Sequence, residues 1–196
     1  MKNQIITIKN KAELTRISDN VETIEEAQYI IKLLRKNLKQ ISHGIGLSAI
    51  QIGIPKRVGL IIYKDIEYQL INPIIKECID EFIYYNEGCL SIPGKFFNVI
   101  RYHQIHITNM KPSHNGWEEE ECVFAPSINN TSPDMIGIAI QHEIDHFNGI
   151  LICDKVYKST PIINTKSPNR NSLCPCGSNK KYKKCCMLKR RTENEI

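Results

Sequence analysis

In Gln141-His142-Glu143-Ile144-Asp145-His146, two histidines stand four residues apart and a glutamate follows the first. On an α-helix, residues i and i+4 lie one above the other on the same face. Two imidazoles placed that way bind one metal ion, and the glutamate is set to handle the proton of a water beside it. The flanks support the helix. Thr131-Ser132-Pro133-Asp134 offers a hydroxyl cap, a proline at the first helical position and an acid in the first turn, and Asn148-Gly149 offers a stop. The predicted helix runs from about 133 to 147. Ile136, Ile140, Ile144 and Phe147 share one face. Met135, Ile138, Ala139, His142 and His146 share the neighbouring one, so the metal-binding face continues toward the helix start as an apolar wall where a substrate side chain would sit.

Upstream, Thr23-Ile24-Glu25-Glu26 has the form of a capping box, and Ile24, Ala27, Ile31, Leu34, Leu38 and Ile41 follow helical spacing. A helix is predicted over about 24–40. His43-Gly44-Ile45-Gly46-Leu47-Ser48-Ala49-Ile50-Gln51 then carries two glycines one residue apart, which permit positive φ or a close backbone approach. The absence of a following Gly-Lys-Ser/Thr excludes a phosphate loop. Beyond it the chain reads as strands: a short one at Ile5–Ile8 earlier, then Val58–Tyr63 and Tyr68–Asn72 around a break at 64–67, Ile74–Ile83, Phe96–His103 and Gln104–Met110, a turn at Pro112–Gly116, and Cys122–Phe124. Glu118–Glu121 reads as acidic and exposed. These elements predict an α+β fold, antiparallel sheets around the central helix.

The 196 residues suffice for one cored domain and a small appendage. No apolar run approaches the roughly 20 residues of a membrane helix, and Met1–Ile6 lacks the apolar core of a secretory signal. The expected location is therefore the reducing cytoplasm, which makes a disulfide framework from the eight cysteines a poor reading. The net charge of +5 is polarised: from Ser159 onward there are nine basic and two acidic residues. A basic tail on a mildly acidic body suggests contact with a polyanion.

A catalytic metal site needs a third ligand and an open position. The long metalloprotease form H-E-x-x-H-x-x-G-x-x-H is matched as far as Gly149, but its last position is Ile152. The only downstream glutamates are Glu193 and Glu195, at the end of the tail. Upstream, Cys89 lies in a turn-rich segment between strands and is the candidate; a buried free cysteine is the plainer reading of it alone.

Three ordered segments together resemble the peptide deformylase family. They are Gly44-Ile45-Gly46-Leu47-Ser48-Ala49-Ile50-Gln51, Glu87-Gly88-Cys89-Leu90-Ser91 and Gln141-His142-Glu143-Ile144-Asp145-His146. The likeness spans about residues 5–156, and Ile92-Pro93-Gly94 and Arg101 also fit it. It implies a deformylase fold in which Cys89, His142 and His146 hold ferrous iron, replaceable by zinc, nickel or cobalt. It implies that Glu143 takes a proton from the attacking water, and that the Gln51 amide and the Leu90 N–H stabilise the oxyanion while an N-formylmethionyl peptide loses formate. Gly44, Ile45, Gly46, Glu87, Gly88, Met135, Ile138 and Ala139 would bind the substrate. Three departures stand out: His43 occupies a position where many bacterial members have an acid, the polar stretch 112–134 does not resemble a typical member, and Phe147 replaces a leucine. The alternatives are another metal-dependent amidase or peptidase, or a non-catalytic module whose tail is the functional part.

The tail reads as a separate unit. Residues 1–158 would be the catalytic domain, 159–173 a linker, 174–188 a metal module and 189–196 a basic, polar end. Cys174-Pro175-Cys176 and Cys185-Cys186 resemble the SEC-C motif, which implies one Zn²⁺ on four thiolates. The expected partner of this basic module is the ribosome, through RNA or protein near the nascent chain.

Overall fold

The computed structural model describes residues 5–126, 134–157, 170–171 and 180–184. The chain divides into two compact units, Met1–Tyr157 and Lys158–Ile196. In the second, a 3-10 turn spans Tyr182–Lys184, and Lys183 N donates to Arg170 O at 2.9 Å. Cys174, Cys176, Cys185 and Cys186 lie outside the described residues, as do 189–196 and all of the expected linker except 170–171.

The first unit is α+β, with two three-stranded antiparallel sheets. One comprises β1 (Gly46–Ser48), β2 (Val58–Tyr63) and β3 (Ile66–Ile71) in that order; the other comprises β4 (Ile74–Gly88), β5 (Phe96–Ser113) and β6 (Gly116–Phe124). Among the described residues its α-helices are α1 (Lys11–Leu14), α2 (Ile24–Leu38) and α3 (Met135–Phe147). Among the described residues no helix is long and apolar enough to cross a membrane.

Burial follows from what covers each sheet face. Strand β2 alternates its side chains between two helices. Val58 and Leu60 join Ala27, Ile31, Leu34 and Leu38 of α2, whereas Ile61 joins Ile140, Ile144 and Phe147 of α3 with Ile105 and Ile107 of β5. A strand covered on both faces reads as a continuous apolar run, as Val58–Ile62 does. Phe147 packs closely on Gly59: a Cβ there would stand 3.1 Å from the ring tip. A larger side chain than leucine fits because its neighbour has none. Asn109 joins the sheets, accepting from Ile71 N at 2.8 Å and donating to Gln69 O at 3.1 Å.

Several local expectations are corrected. Ile5–Ile8 forms no regular strand; Ile6 N bonds Gln51 O and Ile8 N bonds Ser91 O, and a 3-10 turn begins at Ile8. The break at 64–67 is only Lys64-Asp65, with Lys64 at φ 54, so Ile66 and Glu67 pair within β3. The strands expected at 96–103 and 104–110 are one strand ending at Ser113, and β4 extends to Gly88 through register shifts at Ile75/Glu77 and Tyr84/Glu87. Glu118–Glu121 belongs to β6. Helix α2 ends at Leu38, and Thr23 Oγ1 accepts from Glu26 N. Helix α3 begins at Met135, and its cap is Asp134, whose carboxylate accepts from Ile136 N at 3.0 Å. The expected hydroxyl cap and the proline after it, within 131–133, lie outside the described residues.

Candidate active site

Helix α3 is fixed at both ends of its motif. Gln141 clamps the β5 backbone, accepting from Tyr102 N and donating to Tyr102 O, both at 2.9 Å. At the C-terminus Gly149 N bonds His146 O and Ile150 N bonds Asp145 O, a Schellman closure. Gly149 takes φ 70, and a Cβ there would collide with Thr15 O. The helical stop read from Asn148-Gly149 therefore also depends on an approach of the α1 end.

On the face so fixed, the ligand atoms of Cys89, His142 and His146 lie within 4.8 Å of one another. Cys89 Sγ is 3.4 Å from His146 Nε2, and the two imidazoles meet edge to face at 4.9 Å. His142 Nδ1 is 2.6 Å from Glu87 Oε1, which leaves Nε2 as the nitrogen turned to the site. One thiolate and two imidazoles suit zinc or a divalent first-row transition metal and disfavour magnesium or calcium. The donor set therefore fits the metal its sequence pattern implies.

Glu87 was expected among the substrate-binding residues. It does line the cavity, yet both carboxylate oxygens are engaged: Arg101 Nε donates to Oε2 at 2.8 Å and Nη2 to Oε1 at 2.5 Å. Arg101 Nη1 reaches Asp145 at 2.6 Å, and Lys155 reaches the other oxygen of Asp145 at 3.1 Å. A chain of alternating charge thus runs Lys155–Asp145–Arg101–Glu87–His142. Burial would raise the Glu87 carboxyl, but the Arg101 and His142 bonds hold it down at about 2. Burial would equally lower the Arg101 guanidinium, and the two carboxylates override it and raise it. Glu87 is thereby a permanent anion that orients His142.

Glu143 faces the same cavity. Its Oε2 is buried without a hydrogen-bond partner among the described residues, and burial pushes the carboxyl up to about 7. A carboxyl with free acceptor capacity and a proton affinity near neutrality is equipped to accept and return a proton. Gly46 is where it is because of this side chain: φ is not positive there, but a Cβ would collide with Glu143 Oε1.

Gln51 sits in the 3-10 turn Ala49–Ile52. Its Oε1 accepts from Ser48 N at 2.9 Å and Ser48 Oγ at 3.1 Å, so the amide can only turn its Nε2 toward Ser91 Oγ at 3.1 Å and Cys89 Sγ at 3.8 Å. Ser48, Ser91 and Asp145 were not singled out from the sequence. All three were visible inside the quoted motifs, the first two as hydroxyls and the third as the acid directly before His146.

A cavity of about 500 Å³ joins these groups. Gly44, Ile45, Gly46, Glu87, Gly88, Met135, Ile138 and Ala139 all line it, as do Leu90, Gln51, His142 and Glu143. The exposed His43 also lines it, with Ser42 Oγ 3.2 Å from its Nδ1.

The sequence matches the polypeptide deformylase family over residues 2–161 and the SEC-C motif over residues 170–188. It is 37% identical over 152 residues to a peptide deformylase of Natranaerobius thermophilus, covering 76% of this chain and 85% of that one. A Helicobacter pylori peptide deformylase is 37% identical over 123 residues, or 59% of this chain and 63% of that one. Among solved structures, the peptide deformylase of Thermotoga maritima superposes with a TM-score of 0.66 at 25% identity, covering 79% of this chain and 97% of that one. That of Synechococcus elongatus, solved with actinonin, gives 0.65 at 28% identity, covering 79% of each.

Proposed function

This chain belongs to the polypeptide deformylase family, and we propose how its residues divide the work of removing the formyl group from N-formylmethionyl nascent peptides. The observation that carries the proposal is the donor trio Cys89, His142 and His146 within 4.8 Å, with Cys89 and His142 on the wall of the cavity that Glu143 and Gln51 also line. These three residues hold the metal, for which ferrous iron is the reading, with zinc, nickel or cobalt able to replace it. When bound, it supplies a Lewis acid that polarises the formyl carbonyl and acidifies water.

The protein's own groups do the rest. Glu143 accepts the proton of the attacking water and delivers it to the leaving amine, so the base of the first half becomes the acid of the second. Gln51 Nε2, aimed by Ser48, donates to the oxygen on which charge develops, together with the backbone N–H of Leu90. A neutral amide does this without competing as an anionic ligand. Strand β1 is an edge of its sheet, so Gly44–Gly46 can pair with the extended peptide. Met135, Ile138, Ala139 and Ile45 take the methionine side chain. Products are formate and a peptide with a free amino terminus.

The test is formate release from a formyl-Met peptide by anaerobically purified, metal-loaded protein beside Glu143→Ala. Release by the wild type and none by the variant, with equal metal content, supports the assignment. No release by the metal-loaded wild type removes it.

The second unit is read as a zinc module on Cys174, Cys176, Cys185 and Cys186 that docks this cytoplasmic enzyme on the ribosome. The SEC-C match and the basic residues around it support that reading. Co-sedimentation with ribosomes that is salt-sensitive and lost on deleting 166–196 is the expected result; binding unchanged by the deletion removes it.

A further inference from the structure

Tyr84 of β4 lines the cavity beside Met135 and donates its hydroxyl to the Met135 sulfur at 3.3 Å. The ring is held in place from below: Phe82 meets it edge to face at 6.2 Å, and Phe82 itself stacks on His103 at 3.9 Å. A hydroxyl in an otherwise apolar stretch of wall, already bonded to a thioether, bears on how the substrate's own thioether is received.

Distance along α3 brings the two sulfurs near one another. Met135 stands seven residues before His142, about 10 Å at the helical rise of about 1.5 Å per residue. An extended methionine side chain whose formyl carbon lies at the ligand set carries its sulfur, five bonds on, about 6 Å away. The wall between is Ile138 and Ala139, one turn before His142. On that count the incoming sulfur stops about 4 Å short of the level of Met135, at contact distance from its sulfur and on the side of the same phenol.

We propose that Tyr84 is a specificity-determining residue that recognises the sulfur of the substrate methionine, its hydroxyl passing from Met135 Sδ to the substrate Sδ. This rests on the deformylase reading of the site and deepens it. A thioether is a weak acceptor, so the exchange of one sulfur for another confers a small preference. Norleucine has the shape of methionine with a methylene in place of sulfur and leaves the hydroxyl on Met135. Removing the Met135 sulfur takes away that fallback: a norleucine substrate then strands the hydroxyl, and discrimination grows.

The experiment compares kcat/KM for formyl-Met and formyl-norleucine peptides of otherwise identical sequence in wild type, Tyr84→Phe and Met135→Leu. Each ratio is internal to one protein, so general losses from repacking cancel. The expected order of preference for methionine is Met135→Leu, then wild type, then Tyr84→Phe, spanning roughly two- to tenfold. A ratio unchanged between wild type and Tyr84→Phe overturns the proposal, as does a lowered ratio in Met135→Leu. Failure of the underlying reading looks different: wild type releases formate from neither peptide, and the proposal falls with it.

Discussion

Arg101→Met removes the cation on which two buried carboxylates depend while keeping much of the side-chain length. Arg101 has 0% of its side chain exposed and Glu87 6%. Glu87 titrates at about 2 against an ordinary 4.5, a difference worth roughly 3 kcal/mol at neutral pH. Breaking a buried pair costs about 3–5 kcal/mol because the survivor is left desolvated. Asp145 keeps Lys155 at 3.1 Å, so the lower part of that range, about 3–4 kcal/mol, is expected. The pH dependence gives the sign. In the wild type the carboxyl is depressed, so its contribution is complete above the unfolded value and is lost as pH falls toward about 2. In the variant only His142 is left to oppose burial, the largest influence on the group, and the carboxyl rises; with it raised, its contribution is present below the unfolded value and lost as pH rises through the raised one. The stability gap between the two proteins is therefore widest near neutrality and narrows on acidification. Urea unfolding of both proteins after chelation, at about pH 7 and about pH 4, measures it. Freed of its anionic partner's anchor, His142 also loses orientation, and metal affinity falls about 10–100-fold in a competition titration. A loss under about 1 kcal/mol at neutral pH, or a gap that widens in acid, would refute the reasoning.

Gly46→Ala places a methyl against the Glu143 carboxylate and is expected to lower kcat/KM about 100-fold with metal content unchanged, since a base displaced by about 1 Å costs that much; near-normal turnover would show that the carboxylate has room. The Glu143 carboxyl stands at about 7 through burial, and a cation beside it lowers this. The rate of the metal-loaded enzyme should rise with pH through an acid limb below about 7 that disappears from the residual rate of Glu143→Gln; an identical limb in both assigns it elsewhere. Phe147→Ala opens the space above Gly59 and should cost about 3–5 kcal/mol in urea unfolding without altering metal content; a loss near 1 kcal/mol would mean that the site collapses to fill the gap.

The two long helices were legible because each carries its own punctuation, Thr23 before Ile24 and Asn148-Gly149 after Phe147, whereas the one-turn helix α1 carries none that was read. The strands were legible as apolar runs but not in their lengths. Nothing local joins 96–103 to 104–110 or carries β4 on to Gly88; the pairing of one with the other does, through register shifts that a linear pattern does not display. The donor trio could be suspected from ordered motifs. Its supports could not, because they are set by tertiary contacts: Ser48 matters only once the Gln51 amide folds back on it, and Asp145 only once Arg101 arrives from β5. Glu87 shows the limit most clearly. A glutamate next to a glycine in a turn-rich segment reads as facing a ligand, and only the arrival of arginine and histidine reveals that its oxygens are spoken for.

The motif on α3 is best understood as two interleaved faces. The chemistry is proposed for His142, Glu143 and His146; Gln141, Ile144, Asp145 and Phe147 decide where those three stand. Gln141 binds the β5 backbone, Asp145 the arginine that also holds Glu87, and Ile144 and Phe147 the core shared with β2. A bare His-Glu-x-x-His specifies only the first face and is compatible with any metal hydrolase. The second face ties the helix to β5, and β5 is the strand that pairs with the end of β4, directly before Cys89. The residues that distinguish this site are thus the ones that bring a third ligand from upstream. That is why the glutamine and aspartate, rather than the histidines, separate this helix from one awaiting a ligand downstream.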